Sequence, residues 1–346
     1  LNPNKHFDTV IYNGPGSGTQ DITSLEFQPD FVWIKGRSSG WNVLVDSVRG
    51  VGKILASNET AVENNSSDSQ TAFQAFLPNG FRVGHNASWY VNGGSGSSSQ
   101  SQVAWCWKAG GAAVSNSDGS ITSSVSANTE AGFSIVTWTG TGSDGTIGHG
   151  LGVTPNVIIV KRRNGTQNWG VYHSSIAPND ILQLDVSNAV YNSSGVFGNA
   201  LATSSVFSVN AGSGMSNGNG DTYVAYCFSE VAGYSKFGSY TGNGSADGPF
   251  IFTGFRPAWV LAKRADSTGY WRLLDNKRDP HNVAHHALFP NTNDSVSDGD
   301  GSDQYNTDFL SNGFKLRTTL ADYNENNSEF IFAAWADVPF KYNNTF

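Results

Sequence analysis

Residues 27–37, FQPDFVWIKGR, decide the fold because the same pattern occurs three times in the 346-residue chain. It returns as VTPNVIIVKRR at 153–163 and as FRPAWVLAKRA at 255–265. Each copy is an apolar run that reaches a lysine near its end. These lysines are Lys35, Lys161 and Lys263. A pattern that returns in the same form along one chain indicates tandem structural repeats.

A glycine-rich turn precedes each copy and follows an aromatic residue that lies 23 positions before the lysine, at Tyr12, Trp138 and Tyr240. The first turn reads NGPGSG from Asn13 and has the composition of a phosphate-binding loop. Such a loop must lie between a strand and a helix, and no amphipathic helix follows here. A phosphate loop is also needed only once, whereas this turn occurs in every copy. We therefore predict three hairpin turns in which glycine supplies a positive φ.

The repeats divide the chain into unit 1 (1–111), unit 2 (133–233) and unit 3 (234–346). Between the first two units lies the segment 112–132, which is rich in Ser and Asn and predicts a linker or an extended strand along a surface. Inside the units, short apolar runs alternate with turns, and helical periodicity is nearly absent. This pattern predicts an all-β fold of three tandem β-sandwich repeat units of the jelly-roll or lectin-like kind.

Composition narrows the classes of partner. Charged residues make up 14% of the chain, the formal net charge is −8, and Lys and Arg form no run. A surface that binds the phosphate backbone of a nucleic acid needs clustered positive charge, so we expect no nucleic-acid partner. The sequence has no apolar stretch of about 18 residues, and we expect no membrane insertion.

Several motifs occur in order and resemble a family of repeat-containing virion structural and appendage proteins of marine tailed phages. They are the glycine turns, FVWIK, LVDSVRG at 44–50, VAWCWKAGG at 103–111, FLSNGFKL at 309–316 and VPFKY at 338–342. The resemblance covers nearly the whole chain. It implies a tail fibre, a spike or a capsid-attached fibre at the surface of the virion, and it carries over no catalytic residue.

The leading hypothesis is a non-enzymatic virion appendage that mediates host-surface attachment by glycan binding. Its expected partners are other virion proteins and a host glycan or receptor, with a homotrimer as the expected oligomer. One alternative is a purely structural or capsid-decorating protein, and another is a tailspike-like enzyme that degrades polysaccharide. The chain has no nucleophile elbow, zinc-protease helix or P-loop. A pair of carboxylates for glycoside hydrolysis stays open, because their separation is a structural quantity.

Aromatic residues among polar loop residues supply the candidate glycan site. Sugar rings present C–H faces that stack on aromatic planes, and neighbouring Asn and Asp side chains can bond the hydroxyls. The alternative is that a tryptophan repeated in every unit fills the core of its unit. The candidates are Trp41, Trp89, Tyr90, Trp169, Tyr270 and Trp271.

Unit 3 contains two candidate metal sites. The acidic loop at 293–308 includes Asp298, Asp300 and Asp303, which predict a possible Ca²⁺ site because hard cations prefer several oxygen ligands. It lacks the spacing of an EF-hand, and a solvated acidic loop is the alternative. Three histidines form the second group, at His281, His285 and His286. Zinc needs a third or fourth ligand nearby, and the sequence identifies none clearly.

The three repeated lysines allow two interpretations. A lysine at the end of an apolar strand could present a cation to a ligand in each unit. We favour the simpler prediction that each side chain reaches past the end of its strand into water.

Two acid–base pairs keep an i, i+3 spacing, Asp46 with Arg49 and Asp275 with Arg278. We predict that each makes a local ion pair that holds a turn, rather than a binding site. The middle unit reads VYHSSIAPND at 171–180, so any site that depends on this pair should be weaker or absent there.

Cys106 and Cys227 occupy the same position of the closing strand in their units. Equivalent core positions of separate units should lie far apart, so two buried free thiols are predicted rather than a disulfide.

Overall fold

The computed structural model describes residues 1–85, 88–94, 98–198, 200, 202–298 and 304–338, and it gives only the backbone of Ser69, Ser194, Ser297 and Asp298. Strands joined by turns account for most of the secondary structure. The prediction of an all-β fold is confirmed.

The elements follow one another in chain order. Unit 1 contains β1 (Phe7–Gly14), β2 (Thr19–Ile22), β3 (Phe31–Gly36), β4 (Asn42–Asp46), β5 (Leu55–Ala56), β6 (Phe73–Leu77), β7 (Gly80–Gly84) and β8 (Gln100–Trp107). Segment 112–132 and unit 2 contain β9 (Val114–Asn116), β10 (Ser123–Asn128), β11 (Phe133–Thr139), β12 (Gly145–Gly148), β13 (Val157–Arg162), β14 (Gly170–His173), β15 (Asp180–Gln183), β16 (Tyr191–Asn192), β17 (Val206–Val209) and β18 (Thr222–Phe228). Unit 3 contains β19 (Ser235–Thr241), β20 (Phe250–Phe252), β21 (Pro257–Arg264), β22 (Arg272–Asp275), β23 (His286–Ala287), β24 (Ser297–Asp298), β25 (Thr307–Leu310), β26 (Gly313–Leu316) and β27 (Glu329–Ala336). The short helical segments are a 3₁₀ turn (Pro3–Lys5), α1 (Ser67–Ala72), α2 (Ser194–Phe197) and α3 (Ala321–Asn324).

Each unit builds one main antiparallel sheet, and four strands of that sheet have the same order in all three units. The first strand of the unit pairs with the last, the last pairs with the lysine strand, and the lysine strand pairs with its successor. The closing and lysine strands are central, and their residues are almost all buried. This central position explains why their sequences are continuous apolar runs. The orders are β1-β8-β3-β4, β11-β18-β13-β14 and β19-β27-β21-β22.

The glycine-rich turns are not hairpin turns, so that prediction is wrong. β1 pairs with β8, whereas β2, which follows the first turn, pairs with β7 in a second sheet. The same change of sheet follows β11 and β19. The glycines therefore carry the chain around a corner from one layer to the other. Gly16 and Gly18 adopt positive φ values of 77° and 65°, a conformation that glycine reaches at little steric cost.

A small outer sheet covers the outer face of each main sheet, so that every unit has two layers with an apolar core between them. In unit 1 this core joins Val32 and Ile34 of the lysine strand to Phe73 and Phe81 of the outer layer. Units 2 and 3 have corresponding cores. The outer sheets are β2-β7-β6, β12-β17 and β20-β26-β25.

The inner faces of the three main sheets pack against one another around a shared core, which the tandem repeat did not predict. Three equivalent residues of the closing strands, Trp107, Phe228 and Trp335, meet in pairs at its centre. Their ring centroids are 6.2, 5.5 and 5.3 Å apart, and each pair is edge-to-face. Such contacts add to the free energy of burying the rings. The units therefore surround a common apolar centre instead of following one another in a row.

Segment 112–132 differs from a free linker because it supplies β9 and β10. β10 pairs with β11 from Ser123 to Asn128 and extends the main sheet of unit 2, and β9 forms the outer edge. The alternative interpretation, an extended strand along a surface, describes this segment better.

The two cysteines are free and buried, as predicted. Burial raises the pKa of both thiols. Among the described residues, no helix has the length and apolarity that crossing a bilayer requires.

Candidate functional site

A difference of register separates the tryptophans that the sequence aligned. Counted from the preceding lysine, Trp169 and Trp271 lie eight residues on, whereas Trp41 lies six residues on. β4 places Asn42 opposite Lys35, so Asn42 occupies the position that Trp169 and Trp271 occupy in their units. A shift of one residue along a strand turns a side chain to the opposite face of the sheet. Trp41 therefore has a different environment from the other two.

Trp169 and Trp271 are not available for glycan stacking, which corrects that part of the prediction. Their exposed fractions are 0% and 3%, and both lie in the shared core. The indole N–H of Trp169 donates to the carbonyls of Ala56 and Glu59 in unit 1, at 3.0 and 3.1 Å. Trp271 donates to the carbonyl of Gln183 in unit 2, at 2.8 Å. Both indoles bind the units together, as the core-filling alternative implied.

Trp41, Trp89 and Tyr90 come together at one end of unit 1, and we call these three residues the aromatic patch. Trp41 and Trp89 are half-buried, and their ring centroids are 6.1 Å apart at an angle of 57°. Both pack against the outer core of unit 1. A Cβ atom on Gly40 would lie 3.5 Å from the Tyr90 ring, so Tyr90 covers the residue next to Trp41. The fold thus joins two loops that are about 50 residues apart in the sequence.

Two glutamines of β8 hold the loops of the aromatic patch. Gln102 Nε2 donates to the carbonyl of Tyr90 at 2.8 Å, and Gln100 Nε2 donates to the carbonyl of Ser39 at 2.9 Å. The Oε1 atoms of both glutamines are buried and have no hydrogen-bond partner among the described residues. Buried polar atoms normally have a partner. These two acceptors lie buried behind the patch.

Tyr270 occupies the place of Trp41 in unit 3 and is 45% exposed. Its ring lies 5.6 Å from that of Phe289. The side chain of Asn42, which follows Trp41, donates to the carbonyls of Phe289 and Thr292 at 3.2 and 2.6 Å. Tyr270 and the aromatic patch are therefore connected through the contact between units 3 and 1.

The repeated lysines are buried, so the prediction that they reach into water is wrong. Lys35, Lys161 and Lys263 are 0%, 0% and 1% exposed. Their ammonium groups donate to backbone carbonyls, among them those of Gly40 at 2.5 Å and Thr60 at 2.9 Å. Burial disfavours the charged form, and it lowers the pKa of Lys35 to about 7 and those of Lys161 and Lys263 to about 8. The lysines fix loop carbonyls at the end of the shared core.

The Lys35 contact bears directly on the aromatic patch. Its ammonium group holds the carbonyl of Gly40, the residue that precedes Trp41 and underlies Tyr90. The patch is therefore anchored from the inside by Lys35 and from the β8 side by Gln102.

The predicted ion pairs within turns are confirmed. Arg49 Nε lies 2.5 Å from Asp46 Oδ2, Arg278 Nε lies 2.6 Å from Asp275 Oδ2, and all four side chains are fully buried. A hydrogen bond from another unit reaches each carboxylate. Tyr226 Oη donates to Asp46 at 2.8 Å, and Trp105 Nε1 donates to Asp275 at 3.1 Å. The pairs therefore also connect units.

The middle unit replaces the carboxylate with His173, in agreement with the prediction that the pair is absent there. His173 Nε2 lies 3.1 Å from the carbonyl of Phe332 in unit 3, and its Nδ1 accepts the backbone N–H of Ser175 at 3.1 Å. Nε2 therefore carries the proton of a neutral ring. Burial lowers the pKa of His173 to about 4.

The acidic-loop prediction lies largely outside the described residues. Asp300 and Asp303 are not described, and Asp298 is described by its backbone, which pairs with His286. The Ca²⁺ site therefore stays a prediction. The histidine group gains the third ligand that the sequence did not identify, because Asp279 lies beside His285 and His286. Asp279 precedes Pro280 in a turn, a position that carries no metal-site signal by itself.

An open groove of about 520 Å³ lies between unit 1 and β10. Among the residues that the structure describes, its lining includes His6, Asp30, Lys108, Asn128 and Glu130 and contains no tryptophan, tyrosine or phenylalanine. Asn128 Nδ2 donates to the carbonyl of Lys108 and to His6 Nδ1, both at 3.0 Å. Asp30 accepts the hydroxyl of Ser47 and the backbone N–H of Ala109, at 2.8 and 2.9 Å. The bonds of Asn128 therefore join β10 to unit 1, whereas those of Asp30 stay within unit 1.

Residues 2–339 match the domain of unknown function DUF7483, so the chain belongs to that family. No curated protein and no solved structure matches the chain.

Proposed function

We propose that this member of the DUF7483 family is a non-enzymatic virion appendage protein that binds glycans of a host surface through the aromatic patch. The resemblance of its repeated motifs to phage virion proteins supports the virion setting. The observation that carries the binding proposal is the meeting of Trp41, Trp89 and Tyr90 at the surface of unit 1.

The patch has the properties that sugar recognition requires. Its aromatic rings are partly exposed and adjacent, so that a pyranose ring stacked on one tryptophan lies beside the other. The loops are held by Lys35 and Gln102, so little ordering entropy is lost on binding.

Units 2 and 3 support the presence of one glycan-binding site, at the end of unit 1, rather than three equivalent sites. At the position of Trp41, unit 2 has Asn168 and unit 3 has Tyr270. A stacking platform in unit 2 is therefore absent at this position. Tyr270 adds one exposed ring near the same end, and a long glycan chain could reach it from the patch.

A binding assay with matched variants tests the proposal. The full chain is incubated with a panel of bacterial surface polysaccharides, and binding and oligosaccharide release are followed together. Removing a ring that covers about 50 Å² of apolar surface costs about 1.3 kcal/mol, which is about tenfold in Kd. We expect this loss for Trp41→Ala and for Trp89→Ala, with no oligosaccharide released.

Phe252→Ala is the control for these variants, because Phe252 is 62% exposed and lies in unit 3 outside the patch. It should bind as the wild type does. Equal losses in all three variants, or no binding to any polysaccharide, would contradict the proposal. Release of oligosaccharides would instead identify a tailspike-like enzyme. Loss of binding in EDTA that Ca²⁺ restores and Zn²⁺ does not would bring the acidic loop at 293–308 into the site.

A second candidate function, binding to another virion subunit, is favoured by strand β20. This strand lies at the edge of the outer sheet of unit 3 and presents Phe250 and Phe252, which are 44% and 62% exposed. An apolar edge strand is suited to accept a further strand from a partner. Phe252→Asp should then prevent incorporation into particles and leave glycan binding unchanged.

A further inference from the structure

Unit 3 brings together two imidazoles and one carboxylate in a loop that has no counterpart in unit 1. One ring nitrogen each of His285 and His286 and one carboxylate oxygen of Asp279 lie within 4.8 Å of one another. The loop is an insertion. Arg49 reaches the carbonyl of Lys53, four residues on, whereas the equivalent Arg278 reaches the carbonyl of His286, eight residues on. The four additional residues bring the histidines back beside Asp279.

Hydrogen bonds fix the carboxylate of Asp279. Its Oδ2 accepts the backbone N–H groups of both His285 and His286, each at 2.9 Å, and the side chain is 4% exposed. Its Oδ1 faces Nδ1 of His286. Because two backbone donors hold one oxygen, the other is kept pointing toward the imidazole ring.

The imidazole of His285 is fixed in the same way. Its Nδ1 lies 3.0 Å from the carbonyl of Val283, so Nδ1 carries the proton and Nε2 keeps a free lone pair. The two histidine rings are adjacent and tilted, with centroids 4.2 Å apart and an angle of 34° between the planes, and both are half-buried. Metal-binding histidines are commonly oriented by such a hydrogen bond from the nitrogen that does not bind the metal.

We propose that Asp279, His285 and His286 bind one divalent transition-metal ion, with Zn²⁺ as the preferred ion. Two imidazole nitrogens and one carboxylate oxygen form a ligand set that suits Zn²⁺, whereas Ca²⁺ and Mg²⁺ prefer oxygen ligands alone. The ion takes the place of the proton that Nδ1 of His286 shares with Oδ1 of Asp279. Nδ1 then binds the ion through its lone pair, Nε2 carries the proton of the neutral ring, and the displaced proton passes to solvent. Water completes the coordination.

The neighbouring arginine side chains leave the carboxylate of Asp279 available to a metal ion. Arg278 is adjacent, but its Nε lies 2.6 Å from Asp275 Oδ2, and that buried pair is complete without Asp279. The positive charge of Arg37 also acts on Asp279, and no ion pair between them is formed among the described residues. The bound ion would link the two ends of the inserted loop. We therefore expect it to stabilise unit 3 and to have no role in catalysis.

The test uses the full chain with Zn²⁺ alone, independently of any glycan. We expect one Zn²⁺ per chain after dialysis, measured by mass spectrometry of the metal, and a visible d–d spectrum when Co²⁺ replaces it. His286→Gln and His285→Gln should each weaken binding at least tenfold and remove the rise in Tm that Zn²⁺ gives the wild type. Circular dichroism of each variant verifies that it is folded.

His281→Gln is the matched control, because His281 lies in the same loop, is exposed, and is not part of the cluster. It should bind Zn²⁺ as tightly as the wild type. The proposal is overturned if the wild type retains no stoichiometric Zn²⁺. It is also overturned if His281→Gln weakens binding as much as His286→Gln does.

Discussion

The backbone N–H of Val296 in unit 3 donates a hydrogen bond of 2.7 Å to the carbonyl of Arg37 in unit 1. Arg37 lies two residues after the repeated lysine of its unit. The same contact joins Glu63 of unit 1 to Arg163 of unit 2 at 2.8 Å, and Val190 of unit 2 to Ala265 of unit 3 at 2.8 Å. Each acceptor again lies two residues after the lysine, so three equivalent bonds run head to tail around the molecule.

The bond from Val296 to Arg37 closes this ring. In a homotrimer three identical chains would supply the three contacts, whereas here one chain supplies all of them. The shared core around Trp107, Phe228 and Trp335 is consequently covered within the chain. A homotrimer, which stays a prediction, would have to use the outer surfaces of the units.

Removing the hydroxyl of Tyr226 should weaken the contact between units 1 and 2. Tyr226 Oη donates to Asp46 at 2.8 Å and accepts from Arg49 at 3.1 Å, and all three groups are buried. Hydrogen bonds to charged groups contribute about 1.5–3 kcal/mol, so Tyr226→Phe should lower the free energy of unfolding by about that amount. Urea unfolding measures it, and Tyr191→Phe, at an exposed tyrosine, should change it little. An unchanged free energy in Tyr226→Phe would contradict a role for this contact.

The sequence predicts the all-β class and the repeat because each strand carries its own local signal. The apolar runs before Lys35, Lys161 and Lys263 and the aromatic residues before the glycine turns depend on neighbours within one unit. The shared core depends on contacts between residues such as Trp107 and Trp335, which are more than 200 positions apart. A central strand has two buried faces, and its apolar pattern does not reveal which unit covers each face.

The candidate site, like the shared core, depends on contacts between residues that are far apart in the sequence. The sequence therefore predicts it only in part. Trp89 and Tyr90 are among the candidates that the sequence predicts, and the fold places them beside Trp41. The sequence could not separate Trp41 from Trp169, because the loop after the lysine strand is one residue shorter in unit 1, which puts Asn42 at the paired position and turns Trp41 to the other face. The sequence does carry a signal for the burial of Lys35, because the apolar run FVWI precedes it and glycine follows.

Trp169 and Trp41 should differ in what their removal costs. Trp169 is fully buried and binds two carbonyls of unit 1, and replacing such a residue with alanine costs about 3–5 kcal/mol. We expect Trp169→Ala to lower Tm strongly, whereas Trp41→Ala, at a half-buried site, lowers it much less. Calorimetry of the two variants measures the difference. Equal shifts would mean that Trp41 has a core role and would weaken the aromatic patch as a binding site.

The stability difference between the wild type and Lys35→Met should depend on pH. Burial lowers the pKa of Lys35 to about 7, and the ordinary value is 10.5. Between these values the unfolded chain holds a proton that the folded chain releases, so raising the pH stabilises the wild type relative to the variant. The limit is about 5 kcal/mol, because the two pKa values differ by about 3.5 units at 1.36 kcal/mol per unit.

Urea midpoints at pH 7, 8, 9 and 10 measure this change for Lys35→Met. Lys236→Met is the control, because the side chain of Lys236 is 35% exposed and stays hydrated. Its profile should run parallel to that of the wild type. A difference between the wild type and Lys35→Met that stays constant with pH would show that the Lys35 ammonium group is not desolvated.

His173 should control stability on the acid side. Its pKa falls from 6.5 to about 4 on folding because the ring is buried. Between these values the unfolded chain binds a proton that the folded chain excludes, so stability is lost as the pH falls from about 6.5 to 4. His173→Gln keeps an N–H donor for the carbonyl of Phe332 and cannot be protonated, so its unfolding free energy should fall less over this range. His281→Gln, at an exposed histidine, should follow the wild type, and the same profile for His173→Gln would mean that the contact between units 2 and 3 does not exclude protonation.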